Sequence, residues 1–208
     1  MTSNRVPLEG KTRLDFWQAA SGALLALFVC VHLVLEGTVV ISPALTNGIA
    51  WLLEVTWLAQ IAAPVILLLI VFHFYIAARK MPFRAHELGI FVQHSKSLKD
   101  FDTWLWLVQV ATAIVILVMA SAHVINILSN LPISADKSAA AIQGGMVPFY
   151  LVLFAALDLH IAIGLYRVGV KFGILNRENR LKWRKYALYL VIGLALLSLA
   201  THYSFATM

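Results

Sequence analysis

The sequence has 208 residues, of which 61% are hydrophobic and only 12% charged, whereas ordinary soluble domains are roughly a quarter charged. This composition excludes a soluble globular domain, and the polar stretches between the apolar runs are too short to form a catalytic domain. The net charge of +6 does not indicate nucleic-acid binding, because the basic residues stand directly beside the apolar runs. We therefore expect an integral membrane protein with lipid around it and no nucleic-acid partner.

Five apolar segments are each long enough to cross a hydrocarbon core of about 30 Å as a helix that rises about 1.5 Å per residue. They predict an all-α membrane protein in which five transmembrane helices form a bundle, as a single domain over residues 1–208. The first segment is longer than the core of a secretory signal and lacks a suitable cleavage site, so we expect it to be retained. The helices are predicted at about 16–41, 52–80, 101–130, 146–171 and 184–206.

The basic residues are distributed unevenly between the two sets of helix ends. Apart from Lys137, all of them lie before the first segment, between the second and third, or after the fourth. The positive-inside rule places these positions in the cytoplasm, so the N-terminus is expected there and the C-terminus in the periplasm. The residues concerned are Arg5, Lys11, Arg13, Arg79, Lys80, Arg84, Lys96, Lys99, Arg167, Lys171, Arg177, Arg180, Lys182, Arg184 and Lys185.

Two of the seven histidines are predicted to lie deep in the membrane, toward the periplasmic side. His32 comes 17 residues after Asp15 in the first segment, and His123 comes 21 residues after Asp102 in the third. At the rise of a helix, both are roughly 25–30 Å from the cytoplasmic ends. These two imidazoles are therefore expected at one level of the bundle.

Two further histidines are predicted at a second level, nearer the cytoplasm. His73 precedes Arg79 by six residues at the end of the second segment, and His160 precedes Arg167 by seven in the fourth. Both are then only about 10 Å from the cytoplasmic edge. The remaining three, His86, His94 and His202, have no partner at a matching depth and are not assigned as ligands.

Two pairs of imidazoles at two depths are what two bis-histidine haems stacked across a membrane require. Two axial nitrogens leave no open position on the iron, which suits electron transfer rather than oxygen chemistry. Small residues such as Gly22 and Gly164 beside these histidines leave room for a porphyrin. The alternatives are a transporter or proton channel that relays protons without haem, and a purely structural anchor. The paired, glycine-broken helices typical of transporters are not evident in the sequence.

Several motifs resemble those of the dihaem cytochrome b subunits that anchor quinol:fumarate reductases and succinate:menaquinone oxidoreductases. The similarity covers nearly the whole chain, although the fifth segment matches only in general character, and the four membrane histidines lie inside or beside the matching motifs. These motifs are "LDFWQAASG", "HFYIAARKMP", "DTWLWLVQVATA" and "YLVLFAALDLHIAIGLYRVGVKFG".

The resemblance implies a ligand set for two b haems. His32 and His123 would bind the iron of the distal haem, and His73 and His160 the iron of the proximal haem, in agreement with the depths estimated above. The contacts to the proximal haem propionates would come from Gln18, Trp106 and Lys171. A lysine and two hydrogen-bond donors suit an anionic propionate, although Trp and Lys also gather at membrane interfaces without such a role.

Two carboxylates are assigned to proton transfer by the same resemblance. Glu54 matches in spacing the family's carboxylate for quinol oxidation, in which two protons must be released; Glu36 is a weaker candidate for this role. Glu54 could instead be a solvated residue that favours a helix start.

Asp158 stands where some family members have a glutamate proposed to carry protons together with the electrons. The aspartate side chain is one methylene shorter, so whether the same proton route exists in this chain stays open.

The implied function is that of a membrane anchor that passes electrons between menaquinol and an iron–sulfur subunit in a fumarate reductase or succinate dehydrogenase complex. The fumarate site would lie on a flavoprotein subunit, and both soluble subunits would dock on the cytoplasmic side of the bacterial inner membrane. The alternative is a cytochrome b anchor of another quinone-linked enzyme, such as a hydrogenase or formate dehydrogenase. The direction of the reaction, the quinone species and the pairing of two complexes into a dimer stay open at this stage.

Overall fold

The structure, a computed structural model, describes residues 13–98, 101–176 and 178–208. Five helical spans among these residues are long and apolar enough to cross a membrane, so the all-helical fold with five membrane spans is confirmed. The basic residues Arg5, Lys11, Lys99 and Arg177 lie outside the described residues. The helices are α1 Arg13–Gly37, α2 Pro43–Val55, α3 Leu58–Ala78, α4 Ala85–Leu98, α5 Phe101–Ser129, α6 Ala135–Ala141, α7 Val147–Lys171 and α8 Arg180–Ala206.

The predicted starts of the second and fourth segments differ most from the structure. The second segment, expected from residue 52, begins at Leu58, because Trp57 is left-handed (φ 60°) and separates α3 from the short helix α2. The fourth span extends back to Ala135, through α6 and a π turn that precedes α7. Hydropathy alone registers neither break, because it carries no information about a change of backbone direction.

The polar stretch between the second and third spans, expected as a loop, contains the helix α4. Glu87 lies in its first turn and Lys96 in its last, so both charges are favourable against the helix dipole. Phe91 of α4 stacks on Trp106 of α5 with ring centres 4.3 Å apart. The helix α4 therefore packs beside the start of α5, at the basic end of the bundle.

The five spanning helices form a closed ring. The helix α1 packs against α3 and α8, α5 packs against α3 and α7, and α7 packs against α8. The outer faces of these helices expose large apolar side chains, such as Leu68 (70%), Val118 (63%) and Leu196 (63%). Lipid solvates such a surface, whereas the backbone polar groups are satisfied inside each helix.

Candidate functional site

A deep cavity of about 870 Å³ runs along the bundle between α1, α3, α5 and α7. Asp15 and Lys171 line it at the basic end, and Glu36 and Ile133 at the opposite end. Its walls are mostly apolar, as is typical of a site for a large organic cofactor. The four histidines singled out by the sequence, His32, His73, His123 and His160, all line this cavity.

The pair predicted at the periplasmic level lies together. The ring centres of His32 and His123 are 6.2 Å apart, on α1 and α5. Phe28 stacks on His32, and Tyr150 of α7 places its hydroxyl 3.4 Å from Nδ1 of His123. Glu36, one turn after His32 on α1, has Oε1 3.6 Å from Nε2 of that histidine. We call these two histidines the outer pair.

The other two histidines, which we call the inner pair, are each held by a hydroxyl on a neighbouring helix. Nδ1 of His73 lies 2.9 Å from Oγ of Ser21 on α1, and Nδ1 of His160 lies 3.0 Å from Oγ1 of Thr112 on α5. Gly22, next to Ser21, leaves the space that the His73 ring uses, because a Cβ at this glycine would be 2.8 Å from Cε1 of the ring.

The two levels of histidines can be measured along α1 and α5. On α1, Ser21 marks the level of His73, and His32 comes 11 residues later. On α5, Thr112 marks the level of His160, and His123 also comes 11 residues later. At the rise of a helix, the outer pair is therefore about 16 Å from the inner pair on both helices.

The residues expected to contact propionates line the basic end of the cavity. Gln18, Trp106 and Lys171 are all in the lining, and Nζ of Lys171 lies 3.0 Å from Oδ1 of Asp15. Lys80 also bonds to Asp15 and donates to Oε1 of Gln18 at 3.3 Å. This end of the cavity is therefore cationic and carries hydrogen-bond donors, as binding of an anionic group requires.

Asp15 organises this end of the bundle and was not assigned a role from the sequence. It is 7% exposed and makes ion pairs with Arg79 and Lys80, directly after α3, and with Lys171 at the end of α7. No sequence pattern indicates these pairs, because their partners come from helices distant in the chain. The carboxylate ties α1 to its neighbours and balances cations that line the cavity.

We expect Asp15→Asn to destabilise the protein, since it leaves three cations near one another without their counter-ion. The cost should be about 1–3 kcal/mol of the free energy of unfolding, below that of a fully buried pair because the cations are partly exposed. Thermal unfolding in detergent measures this loss. Glu87→Gln is the control, because Glu87 pairs with the exposed Arg84 at 4.0 Å, and the loss of this exposed pair should have little effect.

A second ionic cluster at the basic end joins α5, α7 and α8. Arg184 donates to Oδ1 of Asp102 at 2.8 Å, Arg180 lies 3.4 Å from Oδ2, and the hydroxyl of Tyr166 donates to Oδ1 at 3.1 Å. Sequence reasoning used Asp102 only to mark a helix end. The cluster fixes the fifth span against the two helices that carry His123 and His160.

Glu54 lies beside the cavity rather than in its lining. Its Oε1 accepts a hydrogen bond from the backbone N–H of Ile133 at 2.6 Å, and its Oε2 accepts one from Gln60 at 3.1 Å. Ile133 itself lines the outer end of the cavity. Glu54 therefore bridges α2, α3 and the segment after α5, whereas Glu36 is the carboxylate that lines the cavity near the outer pair.

Asp158 is buried in α7, at 3% exposure, outside the residues that line the cavity. Its Oδ1 has no hydrogen-bond partner in the structure. Ser198 and Thr201 of α8, the helix packed against α7, likewise have buried hydroxyls without partners. A buried carboxylate with one oxygen unbonded among the described residues is costly in a membrane span, which makes Asp158 a functional candidate.

The fold and the cavity define a class, that of multi-pass helical membrane proteins whose central cavity is lined by two pairs of imidazoles. Residues 90–204 match the sequence model of the family described as "Succinate dehydrogenase/Fumarate reductase transmembrane subunit". This match covers more than half of the chain, which therefore belongs to that family. The resemblance seen in the motifs is confirmed at the level of the family.

Characterised relatives support the same assignment. The chain is 29% identical over 198 residues to the fumarate reductase cytochrome b subunit of Helicobacter pylori strain J99, covering 88% of this chain and 77% of the relative. The protein of the same name from Wolinella succinogenes is 26% identical over 194 residues, covering 88% of this chain and 76% of the relative. These relatives are subunits of an oxidoreductase complex by their names.

Proposed function

We propose that this chain is the cytochrome b subunit of a fumarate reductase or succinate dehydrogenase complex in a bacterial inner membrane. It would bind two b haems and exchange electrons between menaquinol and an iron–sulfur subunit, with a flavoprotein subunit carrying the fumarate site. The observation that supports this most is the four imidazoles that face one apolar cavity at two levels. In this proposal the chain is one dihaem domain with its N-terminus in the cytoplasm.

The spacing of the outer pair suits two imidazoles that would share one iron. An imidazole nitrogen binds a first-row metal such as zinc at about 2.0–2.1 Å, so two imidazoles on opposite sides of one metal have ring centres roughly 6 Å apart. The 6.2 Å between His32 and His123 is of this size. Haem needs only two ligands from the protein, which a pair of histidines supplies.

The inner pair fits the same group. Gly22 allows close approach of a ring to α1, and the cavity continues past His73 and His160 toward the cationic end. The amide nitrogen of Gln109 lies 3.1 Å from Nε2 of His160, and this amide would have to turn away for that nitrogen to hold iron. Gln18, Trp106 and Lys171 would hold the propionates.

When bound, haem b supplies a one-electron couple at each of the two levels. The chain would hold the iron with His32 and His123 at the outer level and with His73 and His160 at the inner level. It excludes water through the apolar cavity walls and provides carboxylates for protons at the outer end. Asp158 would carry protons through α7, so that the electrons do not move net charge against the membrane potential, which would cost about 2.3 kcal/mol per charge at 100 mV.

Purification through a tag on this chain tests the proposed assembly. We expect a flavoprotein and an iron–sulfur protein to co-purify, and the complex to couple menaquinol oxidation to fumarate reduction, or succinate oxidation to menaquinone reduction. Co-purification with the soluble subunits of a hydrogenase or formate dehydrogenase would contradict the proposal and favour the alternative anchor.

We expect Glu54→Gln to slow quinol oxidation while the haem spectrum stays intact. The amide can still accept from the N–H of Ile133, but it cannot take a proton from the quinol, and loss of a general base typically costs about 10²–10⁴-fold in rate. Steady-state quinol oxidation measures the effect. Glu36→Gln is the comparison: a large loss there, with normal turnover of Glu54→Gln, would transfer the role to Glu36.

A further inference from the structure

The inner pair differs from the outer pair in how the second ring nitrogen is held. Each inner imidazole has Nδ1 within 3.0 Å of a side-chain hydroxyl on the helix it faces, that of Ser21 or Thr112. The corresponding contacts of the outer pair are the hydroxyl of Tyr150, at 3.4 Å from His123, and the carboxylate of Glu36 beside His32. Two different pairs of helices therefore share this arrangement, and it occurs at the inner level only.

The direction of these hydrogen bonds follows from the other contacts of the two hydroxyls. Oγ of Ser21 lies 2.7 Å from the carbonyl oxygen of Trp17, and Oγ1 of Thr112 lies 2.8 Å from that of Val108, each four residues earlier in its own helix. A hydroxyl has one hydrogen, and a carbonyl can only accept, so each hydroxyl donates to its own helix. Toward the histidine it can then only accept.

The consequence is a fixed tautomer for both inner histidines. If each hydroxyl accepts, Nδ1 of His73 and of His160 carries the proton, and in a neutral imidazole Nε2 then keeps its lone pair. This is the nitrogen that would bind iron. Both hydroxyls are buried, Ser21 being 5% and Thr112 8% exposed, so water does not readily replace them.

We infer that Ser21 and Thr112 are positioning residues for the inner haem. They set the tautomer of its two histidine ligands and lower its midpoint potential. The inference rests on the proposed function, because it requires haem at the inner pair. A hydrogen bond donated from Nδ1 makes the imidazole a stronger donor to the metal, and such a ligand stabilises the ferric state. Removing either hydroxyl should therefore raise the midpoint potential of the inner haem and leave the outer haem unchanged.

The test is a redox titration, with low-temperature electron paramagnetic resonance spectra, of the purified complex carrying Ser21→Ala or Thr112→Val. Thr112→Val replaces the threonine hydroxyl with a methyl group of similar size. We expect both variants to raise the midpoint potential of the inner haem by up to about 59 mV. This shift corresponds to a tenfold change in the equilibrium between the ferric and ferrous states for one electron. The resonance of the inner ferric haem should shift with it.

Two further variants separate positioning from a general packing effect. Thr112→Ser keeps the hydroxyl and should restore the wild-type potential. Ser129→Ala removes a hydroxyl that bonds to the carbonyl of Ile125 on the same helix as Thr112, without a histidine partner, and should change neither haem.

The outcomes distinguish this inference from the proposed function. A selective loss of the inner haem in Ser21→Ala or Thr112→Val, with the outer haem retained, would also support it, because groups that hydrogen-bond to a ligating histidine typically contribute about 10–100-fold to metal affinity. An unchanged inner potential in both variants, with both haems bound, would overturn it and leave the proposed function intact. Loss of both haems together, also in Thr112→Ser, would overturn it in favour of a structural role. Absence of haem from the wild-type complex would instead overturn the proposed function itself.

Discussion

His160→Ala is expected to remove one of the two haems from the purified complex while the other stays bound. In the proposed function the imidazole of His160 would supply one of the two nitrogens that hold the inner iron, and alanine cannot replace it. His73→Ala should have the same result, since both rings serve one iron in this account. Extracted haem per chain should fall from two to one, and the redox step of the inner haem should disappear.

His202→Ala is the matched control for this experiment. This histidine also lies in a membrane span, but it is outside the cavity lining, its Nδ1 lies 2.7 Å from the carbonyl oxygen of Ser198, and its ring packs against Phe154. Its replacement should leave both haems in place. If the His160→Ala and His73→Ala complexes each keep two haems, the inner pair does not bind iron.

His123→Ala is expected to remove the other haem and to abolish quinol-linked turnover, although the inner haem remains. The outer pair lies at the end of the cavity lined by Glu36 and Ile133, and about 16 Å of helix separates it from the inner pair. The electron path from the quinol side should then be broken at its first step. His32→Ala should give the same spectrum, with the outer redox step absent.

The inner haem of the His123→Ala complex should still be reduced from the iron–sulfur side, which can be followed optically after adding dithionite or succinate. This separates a specific loss of the outer haem from misfolding. Normal quinol turnover in His123→Ala or His32→Ala would contradict the assignment of the outer pair.

The depth of each histidine could be predicted from sequence because a helix advances by a constant rise and the basic residues mark one membrane edge. His32 and His123 were expected at one level, and the structure places their rings 6.2 Å apart. The same reasoning predicts the five spans from the length of the apolar runs. Hydropathy and rise are properties of the chain itself, so no tertiary contact has to be known.

Features that depend on helix rotation or on contacts between distant helices could not be predicted in this way. The ion pairs of Asp15 join residues more than sixty positions apart, and hydropathy carries no information about them. The hydrogen bonds of Ser21 and Thr112 to the inner histidines have the same character. Serine and threonine in a membrane helix are common without such a role, because they also bond to their own helix.

Local breaks in the backbone were also missed, for a different reason. Trp57 has a left-handed backbone conformation, which the sequence does not predict because tryptophan rarely adopts it. Glu54 was interpreted as a carboxylate near the start of a spanning helix, whereas the break at Trp57 places it at the end of α2, bonded to Ile133. Its proposed role in quinol oxidation therefore requires that the quinol reach this carboxylate from the outer end of the cavity.

The central claim is that two b haems occupy the cavity, and the most direct measurement is a dithionite-reduced minus oxidised absorption spectrum of the purified complex, with haem extracted and counted per chain. We predict the spectrum of b haems, two per chain, that titrate as two separate redox steps. A folded complex that contains its soluble subunits but no haem would contradict the claim. The four histidines would then have a structural or proton-relay role.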